Sequence, residues 1–444
     1  MLSSKSFKQL LTPAGLIILA GVLLRVLFLT RFPPGLNQDE VSSGYEAWAL
    51  LRYGVDRNGF SFPVLFQSWG SGQNTLYSYI SIPFIALLGL NAFAIRLPMA
   101  LCGCASLFIV WHGLRGAEAN DSEARDEGFG LCILAAIAFN PWAITASRWG
   151  LESNLLPFML LLGLYFAKRG KLYVCAVVFG LSLYSYGTAL LAVPLFLLGY
   201  CLYTRSFPWK QGLVFAAIAF PLVLCHIRNM LGLETMRLLC FTLPQLTQLR
   251  QSSVMSIDVK SNALAILRLL ANQSDGLPWN SIPYFGLFWS IPGLLLVCNG
   301  VAQSIRRKEN ILTLILLGAG LLTALFVDGN INRLNINRLN MLMIPIILLQ
   351  GYGIARLPKL RSVVLTLLPA ACLMLIYVYV NVSAPAIEPY FQRDYANQQY
   401  IYDLFENKLP PKEFSESVEY LNPNGEFRFV RSFTANGKEY KYAY

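Results

Sequence analysis

Two adjacent carboxylates, Asp39 and Glu40, carry the clearest chemical signal in a chain that has only 24 acidic residues among 444. They follow the pair Pro33-Pro34, which ends the first apolar run because proline removes an amide donor and restricts its neighbour. Asp39 is therefore expected to cap a second, amphipathic helix over residues 41–53, a role worth about 1 kcal/mol. A carboxylate walled by aromatic and apolar groups can also have its pKa raised by desolvation and act as a general base. Both roles remain open.

A second polar group, Arg148 and Glu152, lies in a short turn between two apolar runs. Their spacing of four predicts a pair on one helical face. The turn is expected on the same side of the membrane as Asp39, which would form a cleft lined by opposite charges. An ion pair that merely ends two membrane spans is the alternative.

The third group is a polar stretch over residues 328–340, in which Ile-Asn-Arg-Leu-Asn occurs twice and places Arg333 and Arg338 five residues apart. Guanidinium groups recognise phosphate through a bidentate fork, so a lipid phosphate is a plausible ligand at this depth. A solvated loop neutralised by Asp328 and lipid headgroups is the alternative. Arg57 is a further candidate, unless it only pairs with Asp56 in a turn.

The elements that must position these residues are apolar. Hydrophobic residues make up 55% of the chain and charged residues 13%, well below the quarter that is typical of soluble domains. This composition predicts an all-α polytopic membrane protein. The net charge of +11 comes from short clusters between apolar runs, so no nucleic-acid partner is required. No residue is assigned to a metal, and a divalent cation is the only cofactor left open.

The apolar runs number about eleven, which predicts about 11 transmembrane helices within a domain over residues 1–380. With a cytoplasmic amino terminus, four basic clusters fall on the cytoplasmic side. The outer side then receives a first loop over 31–93, a second over 229–282 and a small carboxyl-terminal segment over 381–444. Interfacial helices are expected in the first loop, at 41–53 and 75–90. A hairpin is expected around Asn436-Gly437.

Taken together, these motifs resemble the GT-C membrane glycosyltransferases, in the branch of protein O-mannosyltransferases, lipid A aminoarabinose transferases and lipopolysaccharide-core transferases. The resemblance covers residues 13–200 best. It is carried by Pro34-Gly35-Leu36-Asn37-Gln38-Asp39-Glu40, Tyr45-Glu46-Ala47, Gly54-x-Asp56-x-x-Gly59, Gly89-x-Asn91-x-Phe93-x-x-Arg96-Leu97-Pro98 and Ser147-Arg148-x-x-x-Glu152.

The resemblance implies an inverting transfer from a polyprenyl-phosphate sugar to a lipid, glycan or protein acceptor on the outer face of a bacterial plasma membrane. Asp39 would be the catalytic base, and Glu152 would support substrate positioning. Several relatives place a lysine before the first interfacial helix, where this chain has Gln73 and Asn74. The phosphate contact would then pass to Arg57, Arg333 or Arg338. The other residues assigned to substrate binding are Glu40, Tyr45, Gln73, Asn74 and Arg148.

Two other functions compete with this one. A lipid or sugar transporter or flippase should carry ionisable residues near mid-membrane, whereas these apolar runs are almost uncharged. A scaffold that keeps the fold without activity is the third possibility. The sequence contains no GxxxxGK[ST] loop or GxGxxG fingerprint, as expected if the donor is a lipid phosphate rather than a nucleotide.

Overall fold

The computed structural model describes residues 12–68, 71–114, 127–246, 258–327, 335–396, 398–415, 419–421 and 429–443. Most of these residues are helical. The α-helices of the apolar part are α1 Pro13–Val26, α2 Gln38–Tyr53, α3 Leu76–Leu88, α4 Ala92–Ile109, α5 Glu127–Ala138, α6 Pro141–Ser147, α7 Glu152–Lys168, α8 Leu172–Ser182, α9 Ala189–Thr204, α10 Trp209–Met230, α11 Val259–Asn272, α12 Ser290–Arg307, α13 Ile311–Leu325, α14 Met343–Ala355 and α15 Pro358–Val378.

Every apolar run of the sequence contains a helix, but the count of about eleven membrane spans is not confirmed. Among the described residues, four helices are long and apolar enough to cross a bilayer, or five if the bent pair α5 and α6 forms one span. Several of the other apolar helices have fewer than 18 residues, among them α1, α8, α9 and α13. A span of the usual length needs about 20 residues.

The first loop folds into α2, the hairpin β1 Leu65–Ser68 with β2 Ser71–Asn74, and α3. Helix α2 begins earlier than the sequence pattern predicts, and its cap is Asn37 rather than Asp39. The Asn37 side chain accepts the amide of Asp39, and Glu40 accepts the amide of Asn37, which completes a capping box. Asp39 therefore lies inside the first helical turn. That α2 and α3 lie at a membrane interface remains a prediction.

The carboxyl-terminal segment contains α16 Ala384–Ile387, α17 Tyr400–Glu406, α18 Pro411–Ser415 and a sheet of β5 Glu419–Leu421, β6 Phe429–Ala435 and β7 Lys438–Ala443. The expected hairpin is confirmed, because β6 and β7 pair antiparallel around Asn436-Gly437, both with positive φ. The segment packs on α2: Tyr402 and Leu404 share a buried cluster with Val41 and Trp48.

The remaining short elements lie between the long helices or follow them. They are the π-helical turn Val110–Leu114, the hairpin β3 Met236–Leu238 with β4 Phe241–Leu243, the 3₁₀-helix Ile336–Leu342, the π-helical turn Tyr379–Ser383 and the 3₁₀ turns Glu388–Tyr390 and Arg393–Tyr395.

Candidate functional site

Glu40, predicted to bind substrate, lies in a fully buried ion pair with Arg96 of α4. Arg96 Nε and Nη2 donate to the two carboxylate oxygens at 2.8 and 2.9 Å. The Gly150 amide donates to Oε1 at 2.9 Å, so Glu40 joins α2, α4 and the turn before α7. Arg96 also donates to the carbonyls of Leu29, Pro33 and Gly35 at the end of α1. The pair fixes the backbone that leads into Asp39.

Arg148, also predicted to bind substrate, binds backbone carbonyls at the end of α1. Its guanidinium donates to the carbonyls of Leu24, Leu27, Phe28 and Phe32 at 2.6–3.2 Å. These carbonyls belong to the last turn of α1 and the residues after it, where cations are stabilising. Helix α6 ends at Ser147 and α7 begins only at Glu152, so Arg148 lies outside both helices. The expectation that Arg148 and Glu152 share one helical face is therefore wrong.

Arg57 anchors a buried polar cluster beneath the β1–β2 hairpin. Its Nε lies 2.6 Å from Glu46 Oε1, and its backbone amide donates to Glu46 Oε2 at 2.9 Å. Its Nη2 donates to Ser42 at 2.6 Å, and Ser42 in turn donates to Gln73 Oε1 at 2.9 Å. Arg57 was a candidate for the phosphate, with a pairing to Asp56 as the alternative; the structure instead pairs it with Glu46. Arg57 and Gln73, both 5% exposed or less, lie together.

Two carboxylates share this buried cluster with a single guanidinium. Burial raises the pKa of Asp56 well above its ordinary value, and the charge of Glu46 adds to that shift. Burial also raises the pKa of Glu46, and this effect outweighs the lowering by the nearby charge of Arg57. The Asp56 carboxylate accepts the amides of Asn58 and Phe60 at 2.9 and 2.8 Å. Burial and the neighbouring charge of Glu46 thus favour the protonated form of Asp56 more than water does.

Asn74 and Glu152 meet at the end of the helical bundle where α1 finishes and α7 begins. Asn74 Nδ2, on the hairpin strand β2, donates to Glu152 Oε1, in the first turn of α7, at 3.3 Å. Both side chains are half-buried. Two residues predicted independently, 78 positions apart, are therefore neighbours. The helix amino terminus also favours a negative charge on Glu152.

The 3₁₀-helix that carries Arg338 is fixed at both ends by polar side chains. At its start, Asp275 Oδ2 accepts the Ile336 amide at 2.8 Å and the Asn280 side chain at 2.7 Å. At its end, Asn340 Nδ2 donates to Asn154 Oδ1 at 3.1 Å. Because Asn154 lies on α7 two residues after Glu152, this bond holds the Arg338 segment beside the Glu152 helix. Arg338 is half-buried.

Asp39 and Tyr45 lie on α2 next to the carboxyl-terminal segment. Asp39 is half-buried in the first turn. Tyr45 is fully buried, and its hydroxyl donates to the Leu409 carbonyl at 2.6 Å, so it holds the carboxyl-terminal segment in place. The Tyr402 hydroxyl donates to the Leu36 carbonyl at 2.7 Å, just before α2. Arg333 lies outside the described residues.

Sequence reasoning gave no role to four residues that build this region. Arg96 was quoted only within a motif and Asn340 only within the polar stretch 328–340, while Asn154 and Asp275 were not singled out. A charged residue near the start of an apolar run was a usable signal for Arg96, because such residues are rare and usually paired. The contact between Asn154 and Asn340 gave no signal, because a polar pair 186 positions apart leaves no local pattern. In the described ranges, no group of three His, Cys, Asp or Glu side chains is arranged to hold a metal ion.

No protein-family model matches the sequence, and no curated protein does. Two solved structures of ArnT from Cupriavidus metallidurans match the fold. The structure bound to undecaprenyl phosphate gives a TM-score of 0.51 at 15% identity, and the apo structure gives 0.52 at 14%. Each match covers 93% of this chain and 74% of the ArnT chain. ArnT is a GT-C glycosyltransferase, and the chain therefore has the GT-C fold that its first-loop motifs predict.

Proposed function

We propose that this protein is a membrane glycosyltransferase that moves a sugar from a polyprenyl-phosphate donor to a hydroxyl acceptor. The reaction would take place on the outer face of a bacterial plasma membrane, with inversion at the anomeric carbon. The observation that carries the proposal is the meeting of three separate polar segments at one end of the bundle. Asn74 contacts Glu152 there, and the Arg338 segment is bonded to the Glu152 helix through Asn340.

In this reaction the acceptor oxygen attacks the anomeric carbon while the bond from that carbon to the phosphate oxygen breaks. Asp39 takes the proton of the acceptor hydroxyl, and the lipid phosphate leaves with the electron pair of the broken bond. Arg338 balances the charge of the departing phosphate, as guanidinium groups do elsewhere. Glu152 and Asn74 orient the substrates. The ArnT structure bound to undecaprenyl phosphate has the same fold, which supports a donor of this class.

The hydrogen-bond partners of the other predicted residues indicate their roles. Glu40 is paired with Arg96, and Arg148 is bonded to carbonyls at the end of α1. We therefore assign both residues to positioning the site rather than to substrate contact. Arg57 holds Gln73 through Ser42, and Gln73 directly precedes Asn74. Among the three arginines considered for the phosphate, these contacts favour Arg338 over Arg57.

The test is transfer from radiolabelled polyprenyl-phosphate sugars in membranes that contain the full chain. We expect Asp39→Asn to lower turnover by about 10²–10⁴-fold, the usual contribution of a general base. Its expression should stay normal, because asparagine is tolerated at a helix start. The matched control is Asp394→Asn, which changes an exposed carboxylate of the carboxyl-terminal segment and should transfer like wild type. Equal turnover in Asp39→Asn and wild type would rule out Asp39 as the catalytic base.

A further inference from the structure

A cavity of about 1000 Å³ runs along α1, on the side of the bundle formed with α5 and α15. Its walls are apolar side chains such as Ala20, Leu24, Ala135 and Leu368. Residues from Pro13 to Leu27 line it, which corresponds to about 20 Å of helix at 1.5 Å per residue. This length exceeds one leaflet of a hydrocarbon core that is about 30 Å thick.

The polar groups of this cavity lie at one end, where α1 finishes. Arg31 is exposed there, and its guanidinium lies 5.6 Å from the ring centre of Phe32. Arg148 lies at the same end, although its guanidinium is bonded to the carbonyls of α1. Among the described residues, no carboxylate lines the cavity. An apolar cavity with a cation at its open end is complementary to a lipid that has an acyl chain and an anionic headgroup.

The cavity is separate from the candidate site. Of the described residues placed in that site, only Arg148 lines it; Asp39, Asn74, Glu152 and Arg338 do not. One wall is α15, part of the helix Pro358–Tyr390. Among the four span-length helices of the described residues it is the least buried, with 17% of its apolar stretch inside the protein. The described part of the protein leaves this side uncovered.

We infer that this cavity binds an anionic glycerophospholipid, with one acyl chain along α1 and the phosphate at Arg31. The inference goes beyond the transfer reaction and does not rest on it. A bound lipid would fill the space between α1 and α15, and both helices end beside residues that hold the candidate site. It would therefore stabilise the folded protein by mass action.

The test is native mass spectrometry of the full-length protein after extraction in mild detergent and a delipidating wash. We expect wild type to retain one glycerophospholipid, and Arg31→Glu and Ala20→Phe each to lower its occupancy several-fold. Arg31→Glu reverses the charge at the open end, and Ala20→Phe fills the cavity. The matched control is Arg205→Glu, an exposed arginine at the end of α9, which should retain the lipid like wild type.

A second measurement keeps the test informative if one variant folds poorly. Dioleoylphosphatidylglycerol should raise the Tm of wild type more than dioleoylphosphatidylcholine does, and Arg31→Glu should abolish that difference. Equal shifts by the two lipids, or retention that neither substitution lowers, would overturn the inference. Retention of a polyprenyl phosphate in place of a glycerophospholipid would also overturn it, because the cavity would then hold the donor.

Discussion

The first loop and the Arg338 segment are both polar, yet they are held in different ways. The first loop is fixed by buried charges: Glu40 with Arg96, and Glu46 with Arg57, all 1% exposed or less. The Arg338 segment is fixed by side chains that include neutral amides, such as Asn340 on Asn154. Buried ion pairs hold a geometry firmly because breaking them leaves an uncompensated charge. A hydrogen bond between two neutral amide groups costs less to break, so the Asn340 end of the Arg338 segment is held less firmly than the first loop.

This contrast separates the two carboxylates that begin α2 and α7. Glu40 receives bonds from Arg96, Gly150 and Asn37, and its role is to hold three elements together. Glu152 receives a longer bond from the Asn74 amide, at 3.3 Å. If this contrast holds, substitutions at the buried ion pairs should lower stability, and substitutions that displace the Arg338 segment should lower transfer as well.

The largest effect is expected from Arg96→Met, which leaves Glu40 buried without its cation. We expect the free energy of unfolding to fall by about 3–5 kcal/mol, the usual cost of removing one partner of a buried pair. Urea titration of the purified protein measures the change. The double variant Arg96→Met with Glu40→Gln should be less destabilised than Arg96→Met alone, because the stranded charge is gone. A double variant that loses the sum of both single changes would contradict the pair as described.

The second prediction concerns Asp275→Ala, which removes the acceptor for the Ile336 amide and for Asn280. We expect a loss of about 2 kcal/mol of stability, typical of hydrogen bonds to a charged group. In the transfer assay, the KM for the donor should rise more than kcat falls, because the donor phosphate that Arg338 balances is already charged before the bond breaks. Asp275→Asn keeps one acceptor oxygen and should recover part of the KM. A fall in kcat with an unchanged KM would contradict a positioning role for Asp275.

The third prediction is a pH dependence within the first loop. Because burial raises the pKa of Asp56, the folded state binds a proton more tightly than the unfolded state does. The stability from this group is therefore full below the unfolded pKa and is lost as the pH rises through the folded pKa. Asp56→Asn imitates the protonated form and keeps an acceptor for the amides of Asn58 and Phe60.

The measurement for Asp56→Asn is the Tm of both proteins between pH 4 and pH 8. The variant should gain stability relative to wild type as the pH rises, by on the order of 1 kcal/mol. The control is Asp258→Asn, whose carboxylate is exposed and has a lowered pKa, so its offset from wild type should not grow in this direction. An offset between Asp56→Asn and wild type that stays constant with pH would rule out proton retention at Asp56.

The sequence predicted the helices well because hydropathy is a local property, and each apolar run holds a helix. It also predicted the hairpin at Asn436-Gly437, whose turn chemistry is local. It could not predict which arginines bind the protein's own backbone. Arg148 donates to carbonyls that lie 116 or more positions away, in the last turn of α1 and after it, and nothing local in the sequence marks that contact. The cap of α2 was misplaced by two residues because Asn37 and Asp39 are both good caps.

The smallest effect is expected from Tyr402→Phe, which tests whether the carboxyl-terminal segment supports the Asp39 end of α2. The Tyr402 hydroxyl donates to the Leu36 carbonyl, so its loss should cost about 1 kcal/mol of stability. If the segment holds the start of α2 in place, kcat should fall modestly while the donor KM stays constant. This pattern is the reverse of that expected for Asp275→Ala.

The control for Tyr402→Phe is Tyr395→Phe, an exposed tyrosine of the same segment, which should leave both stability and turnover unchanged. If Tyr402→Phe loses stability but keeps full turnover, the segment only stabilises the fold. If it raises the donor KM instead, the Asp39 end and the Arg338 end respond alike, and the distinction between a rigid first loop and an adaptable second region fails.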